Sequence, residues 1–288
     1  MKTLENAFLD KYPQNGKVIE KWTIATGSPF VWESMTKPNM AAFGEWLCNN
    51  GARSSAKTYC AQLKSILNLY SEELSLPKGW DKVLLIRGDT SEQIYLTDEE
   101  LKRVIEYRPD TKIEAIVQQQ FVLSALVGAR HGDIVKLTEA NIRDEYICYV
   151  SEKTHIKAQV PISNVAKRIL KGNFHHNTVG YEKFAYKESV SDPTFNDTLR
   201  RICNLCDIDE EITLYRRGKT STLPKWSFAS SHLGRRTCAT LLYLHGCDIY
   251  TISRILAHNS VEMTARRYIM TPIRELSKET MGYFSQFK

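Results

Sequence analysis

In "SSHLGRRTCATLLYLHG" His232 and Arg235 stand three residues apart, which places them on one helical face. "VGARHGDIVKLT" sets Arg130 three residues before Asp133. "YICYVSEKTHIKAQVPIS" carries Lys153 and Lys157 at a polar turn between two β-rich runs. "LAHNSVEMTARRYI" brings His258, then Arg266 and Arg267 directly before Tyr268. A tyrosine hydroxyl can attack a phosphodiester and hold it as a covalent ester, which keeps the bond energy for rejoining. Arginines can grip the phosphoryl oxygens in pairs of hydrogen bonds as negative charge builds up. A histidine titrating near neutral pH can take the tyrosine proton, and a lysine can protonate the leaving oxygen. Taken singly, each group has a plain structural explanation: an Arg–Asp pair is often a local salt bridge, and a lone histidine is usually a satisfied polar residue.

Several other machineries are missing from the sequence. It has no GxxxxGK[ST] phosphate loop, no HExxH, no GxSxG, and no separated acidic set of the kind a two-metal nuclease uses. Asp98, Glu99 and Glu100 form an acidic run, and a helix start explains it. Cys203 and Cys206 make a CxxC with no second pair at zinc spacing, which reads as core packing on a helix. No metal and no cofactor are expected.

The 288 residues allow one large domain or two smaller ones, and an apolar fraction of 42% with 25% charged residues is that of a globular protein. No apolar run is long enough to span a bilayer, and the N-terminus lacks a signal-peptide core. Seven scattered cysteines read as reduced thiols, so a cytoplasmic protein is expected. The net charge of +6 is unevenly spread. Between Ile212 and Arg274 there are ten Lys/Arg against two Asp/Glu, leaving the rest of the chain slightly acidic. Such a field attracts polyanions, although a solvated charged face would look the same.

The elements that must position these groups are mainly helical. "TKPNMAAFGEWLCNNG" offers Thr36 as N-cap, Pro38 in the first turn and Gly51 as terminator. "SSAKTYCAQLKSILNLYSEE" repeats apolar residues at Tyr59, Leu63, Ile66, Leu67 and Tyr70. Pro77, Gly79 and Gly88 interrupt the pattern, and the boundary falls near residues 86–94. This gives a helical domain over 1–88 and a second domain over 95–288. The second opens with a capping box at Thr97 and Glu100, followed by a buried helix in "IEAIVQQQFVLSALVGAR". The hairpin around Lys153 is the only clear β signal. Helices are expected over "DPTFNDTLRRICNLCDI", "DIYTISRILAH", "SVEMTARRYIM" and, from Thr271 to about Phe284, the last segment. Residues 1–29 show no readable pattern. The fold class is therefore mainly α with a small antiparallel sheet.

The order Arg, hairpin Lys, His-x-x-Arg, His, Tyr resembles the tyrosine recombinase (phage integrase) family. "ALVGARHGDIVKLT" is similar to its first box, "HLGRRTCATLLYLHG" to its second, and "LAHNSVEMTARRYI" to its segment LGHxS…T…Y. "YLTDEEL" and "SSAKTYCAQLKSIL" resemble the opening catalytic segment and the helical core-binding (SAM-like) domain. "KWSFASSHLGRRTCAT" resembles integrases of Bacteroides-type mobile elements. There are departures. "LAH" stands for the commoner LGH, a mild change. His258 and Tyr268 are ten residues apart where the family usually has nine. "EKTHIK" replaces KTG, and Lys153 aligns with the catalytic lysine through Thr154, with Lys157 as the alternative.

The resemblance implies a site-specific DNA recombinase that works through a 3′-phosphotyrosyl link. Tyr268 would be the nucleophile, Arg130 and Arg235 would grip the phosphate, and His232 would be the base. His258 would bond a phosphoryl oxygen and Lys153 would be the acid. Asp133 would orient Arg130 or pair with it. Arg53, Lys57 and Lys64 on the N-terminal helix, with Arg236, Arg266 and Arg267, are candidate DNA contacts. The partner is double-stranded DNA, bound by a homotetramer on two sites through the last helix, with no membrane. The chain looks too short for a further arm-type DNA-binding domain. Two alternatives use the same features: a type IB topoisomerase, against which the helical N-terminal domain argues, and a non-catalytic DNA-binding protein.

Overall fold

The computed structural model describes residues 2–86, 93–143, 145–174, 184–216 and 219–268; the side chains of Arg216, Lys219, Arg266, Arg267 and Tyr268 lie outside this description. The expected last helix from Thr271 also lies outside it. The chain divides into two units. One is Met1–Glu92 with Leu214–Ser221, the other Gln93–Thr213 with Thr222–Lys288.

The first unit contains α1 (Leu4–Lys11), α2 (Gly16–Thr26), α3 (Lys37–Asn50), α4 (Arg53–Leu69) and the single turn α5 (Trp80–Val83). Thr36 caps α3 through the Asn39 N–H, Pro38 lies in the first turn, and the chain extends at Gly51. The stripe on α4 buries Ala56, Cys60, Leu63, Ile66 and Leu67. Residues 1–29 fold onto the same core. Thr3 caps α1 and Gly27 ends α2 at φ 63°. Phe8 meets Phe30 edge to face at 5.8 Å, and Trp22 meets Phe43 at 5.3 Å. Full burial of such a side chain contributes about 1.5–3 kcal/mol, so these aromatics anchor a segment whose local pattern is weak.

The second unit is built on α7 (Lys112–Val127), which follows α6 (Asp98–Glu106). Thr97 and Glu100 form the capping box, with Thr97 N–H donating to Glu100 Oε2 at 2.7 Å and Glu100 N–H to Thr97 Oγ1 at 3.2 Å. The Glu100 carboxylate also holds the buried Lys225 ammonium at 2.6 Å. Every residue of α7 from Glu114 to Ala125 is buried. Its three consecutive glutamines offset the cost of buried amides by bonding two pieces of backbone, Val104–Tyr107 and Tyr186–Glu188. Gln118 Nε2 donates to the Val104 and Tyr107 carbonyls, Gln119 Oε1 accepts from Tyr186 N–H, and Gln120 Nε2 donates to the Tyr186 and Glu188 carbonyls.

After α7 come the short α8 (His131–Ile134) and an antiparallel sheet of β1 (Ile142–Arg143), β2 (Tyr146–Val150) and β3 (Lys157–Pro161), in that order. Tyr146 pairs with Pro161 and Val150 with Lys157, so Ile147, Tyr149, Ala158 and Val160 face inward. The chain continues through α9 (Asn164–Leu170) and α10 (Asp192–Leu205), which buries the Cys203 thiol, with Cys206 at its C-cap. A second hairpin follows, β4 (Glu211–Arg216) with β5 (Lys219–Pro224), so the β content exceeds the single hairpin expected. Its described side chains are largely exposed and only Leu214 is buried. Backbone pairing and a Thr213–Thr222 hydroxyl contact at 2.7 Å hold it, so no apolar alternation marks it. The chain ends its described part with α11 (His232–Leu244), α12 (Ile249–Ile255) and α13 (Val261–Tyr268). No described helix is long and apolar enough to cross a membrane.

Candidate active site

Helix α7 ends at Gly128, whose φ of 68° is left-handed. A Cβ there would lie 2.9 Å from Leu256 Cδ2, so any other residue would be strained by the turn and would push the Leu256 side chain aside. The tight end places Arg130 at the N-cap of α8 with a half-buried side chain. Its Nη1 donates to Ser151 Oγ at 2.7 Å. Ser151 Oγ in turn donates to Asp133 Oδ2 at 3.1 Å, and Asp133 Oδ1 accepts the Glu152 N–H at 3.0 Å. The contact between Arg130 and Asp133 side chains therefore passes through a serine.

The β2–β3 turn is closed by Ser151 N–H to the Ile156 carbonyl at 2.9 Å, and by His155 at φ 55°. Lys153 is exposed in this turn. Thr154 Oγ1 donates to the Ala257 carbonyl at 3.1 Å, which ties the turn to the segment before His258. Lys157, at the first position of β3, is also exposed.

Helix α11 packs on α7 where Gly234 allows a close approach. A Cβ on Gly234 would meet Ser124 Cβ at 2.9 Å and the Phe121 carbonyl at 3.0 Å. Arg235 is fully buried beside this contact. Its Nη1 donates to the Gly128 carbonyl at 2.8 Å, and its Nη2 contacts the Leu256 carbonyl and, at 2.7 Å, His258 Nε2. An arginine has no acceptor, so His258 Nε2 accepts and the histidine proton sits on Nδ1. That proton goes to Thr264 Oγ1 at 2.7 Å, on α13. Tyr268 stands one helical turn after Thr264 in the same helix. The ten-residue interval from His258 is thus accommodated in an unbroken α13.

His232 opens α11 with part of its surface exposed. Lost solvent around the ring, then the charges of Arg236, Arg235, Arg130 and Lys153, hold its pKa down to about 4. The ring is therefore neutral at physiological pH, and it is a weaker base than the near-neutral histidine expected from the sequence, because burial and four nearby cations disfavour its protonated form. Five of the expected groups, Arg130, Lys153, His232, Arg235 and His258, are joined by direct bonds, shared partners or electrostatic reach. Tyr149, on β2, is buried beside them. Burial first, then the balance of Arg235, Asp133 and Arg130 charges, pushes its phenol well above the ordinary range.

Other expected contacts sit differently. Arg236 is buried, with hydrogen bonds to Gln93 Oε1, Ser230 Oγ and the His232 carbonyl, so its side chain faces protein rather than DNA. Consecutive helix residues point about 100° apart, so Arg236 leaves the direction of Arg235 and is buried because α11 is covered on more than one side from Leu233 to Leu241. On α4, Arg53 and Lys57 are exposed, whereas Lys64 is paired with Asp81 at 3.4 Å. Ser151, Thr154 and Thr264 carry the links between the expected groups; Thr154 and Thr264 fall on threonines of the family segments, whereas no sequence signal singled out Ser151.

The "LAH" departure has a physical consequence. Ala257 is buried at φ 48°, a region that costs an L-residue about 1–2 kcal/mol. Glycine would relieve this strain while losing about 0.4–1 kcal/mol through a freer unfolded chain. Ala257→Gly is expected to raise stability by about 0.5 kcal/mol, read as a higher urea midpoint at unchanged slope. A lower midpoint would mean that the buried methyl group outweighs the strain.

Comparison with known proteins bears on the family and the fold. The phage integrase family pattern matches residues 94–272. No curated protein matches the sequence. Among solved structures, a Tn1549 transposon integrase in complex with a circular intermediate DNA is similar with a TM-score of 0.65 at 14% identity, covering 98% of this chain and 100% of that one. XerH site-specific recombinase bound to a palindromic difH substrate gives 0.64 at 14% identity, over 96% and 78%. A lambda integrase dimer bound to a COC′ core site gives 0.61 at 17% identity, over 92% and 95%. The family match spans more than half of the chain, which therefore belongs to the phage integrase family, the tyrosine recombinases that cut and rejoin DNA.

Proposed function

We propose that this protein is a site-specific recombinase that exchanges strands between two duplexes through a 3′-phosphotyrosyl intermediate at Tyr268. The observation that carries the reading is the link from Arg235 through His258 to Thr264, which binds the cationic cluster to the helix bearing Tyr268. Tyr268 Oη forms a bond to phosphorus as the bond from phosphorus to the 5′ oxygen breaks. His232 takes the tyrosine proton, and Lys153 gives one to the leaving 5′ oxygen. Arg130, half-buried, meets a phosphoryl oxygen directly. Arg235 is buried, so it adds charge from beneath, where low polarizability strengthens its field; both ring nitrogens of His258 are taken, by Arg235 and Thr264, so in place of the phosphoryl contact expected from the sequence His258 ties Arg235 to α13. A 5′-hydroxyl from the second duplex then reverses the attack.

In the same reading the substrate is double-stranded DNA held by four protomers on two sites. The first unit clamps the duplex through Arg53 and Lys57, and the last segment docks on a neighbour. Arg266 and Arg267 lean on the DNA backbone next to the nucleophile. The role is integration or excision of a Bacteroides-type mobile element, in the cytoplasm beside the chromosome.

The test uses a duplex that carries the DNA flanking this gene, incubated in EDTA and stopped with SDS. The wild-type protein is expected to leave a protease-sensitive covalent adduct. Tyr268→Phe is expected to leave none while binding the same DNA. An adduct with Tyr268→Phe would remove Tyr268 from its role, and tight binding without an adduct by either protein would make the chain a non-catalytic binder. Relaxed circles without recombinants would point to topoisomerase action.

A further inference from the structure

Ser151 has no exposed surface, yet its hydroxyl is used twice. It accepts from Arg130 Nη1 at 2.7 Å and donates to Asp133 Oδ2 at 3.1 Å. The direction of this chain is fixed, because a guanidinium only donates and a carboxylate only accepts, so the single serine proton points at Asp133. A hydroxyl polarised by a carboxylate is a stronger acceptor, which strengthens the bond from Arg130.

The arrangement also decides how much of the Arg130 charge remains for a ligand. A direct carboxylate contact would neutralise the guanidinium in a bidentate pair. Here Asp133 stands one hydroxyl away, and its other oxygen is occupied by the Glu152 N–H at 3.0 Å. Arg130 is therefore oriented by the acid without being paired to it. Ser151 is held by backbone on both sides, its N–H to the Ile156 carbonyl and its carbonyl accepting the His155 N–H at 2.8 Å, so the hydroxyl cannot wander.

We infer that Ser151 is a positioning residue for strand cleavage, which aims the Arg130 guanidinium at the phosphate and keeps Asp133 from quenching it. The inference rests on the reading of Arg130 as a phosphate-gripping group.

The experiment measures single-turnover adduct formation on a duplex recovered by covalent capture with the wild-type protein. The proteins are wild type, Ser151→Ala, Ser151→Cys, Arg130→Ala and the Arg130→Ala/Ser151→Ala double variant. Arg130→Ala is expected to slow the reaction about 10³-fold, as loss of a donor to developing charge does. Ser151→Ala is expected to slow it about 10–100-fold at unchanged DNA affinity, and Ser151→Cys less. The double variant should be no slower than Arg130→Ala, since residues acting as a unit are not additive. Should Ser151→Ala fail to fold, Ser151→Cys keeps the side-chain volume, and its defect must likewise vanish in the Arg130→Ala background. A wild-type rate for Ser151→Ala, or a penalty that multiplies onto Arg130→Ala, overturns the inference while leaving Arg130 in its role. A wild-type rate for Arg130→Ala removes the underlying reading and the inference with it.

Discussion

Arg235→Met is expected to unfold about 3 kcal/mol more easily than the wild type and to cleave DNA at least about 10³-fold more slowly. Methionine fills most of the space of the arginine stem. It cannot satisfy the Gly128 and Leu256 carbonyls or the His258 ring, all of which Arg235 now bonds. A buried acceptor left without its donor costs about 1–3 kcal/mol. The loss of cleavage has two sources, the missing charge and the release of His258 and, through Thr264, of α13. Urea denaturation with single-turnover adduct formation separates stability from rate. An unfolding free energy within 1 kcal/mol of the wild type, or a rate within about tenfold, would show that Arg235 does not hold the site together.

Gly234→Ala carries the second large effect, although Gly234 bears no functional group. Its added methyl would lie 2.9 Å from Ser124 Cβ and 3.0 Å from the Phe121 carbonyl. The second contact is backbone in the centre of α7 and cannot turn away, so α11 must lift. Overpacking of this kind costs about 1–3 kcal/mol. Lifting α11 also moves His232 and Arg235 relative to Arg130, which hangs from the end of α7. A misplacement near 1 Å is enough for about a 100-fold loss of rate. The expected outcome is a lower unfolding midpoint with cleavage reduced about 100-fold among molecules that remain folded. Full activity at a reduced midpoint would mean that α11 shifts as a body with α7.

Much of the site can be read from spacing because its parts are local. His232 and Arg235 share one turn, Gly128 precedes Arg130 by two residues, and the capping box at Thr97 and Glu100 needs only neighbours in sequence. The helical stripe on α4 is visible for the same reason, since a period of 3.6 residues is written in one segment. Residues 1–29 could not be read in that way. Their order comes from aromatic contacts such as Trp22 with Phe43, between residues far apart in the chain. The second hairpin was illegible because its strands are held by backbone pairing and bury only Leu214 among their described side chains.

Local pattern also says nothing about which cation meets solvent. Arg235 and Arg236 are adjacent and chemically identical. One bonds His258 and two carbonyls beneath the site, and the other bonds Gln93, Ser230 and the His232 carbonyl. Both are buried because α11 is covered on more than one side from Leu233 to Leu241, a matter of packing that a one-dimensional motif does not encode. Residue types and their order along the chain determine the family, the helical character and the candidate reactive groups by themselves. Tertiary structure alone decides that a serine stands between Arg130 and Asp133, that Ala257 takes a left-handed turn, and that His258 reaches Thr264. Each of these depends on distances between segments, which sequence spacing does not contain.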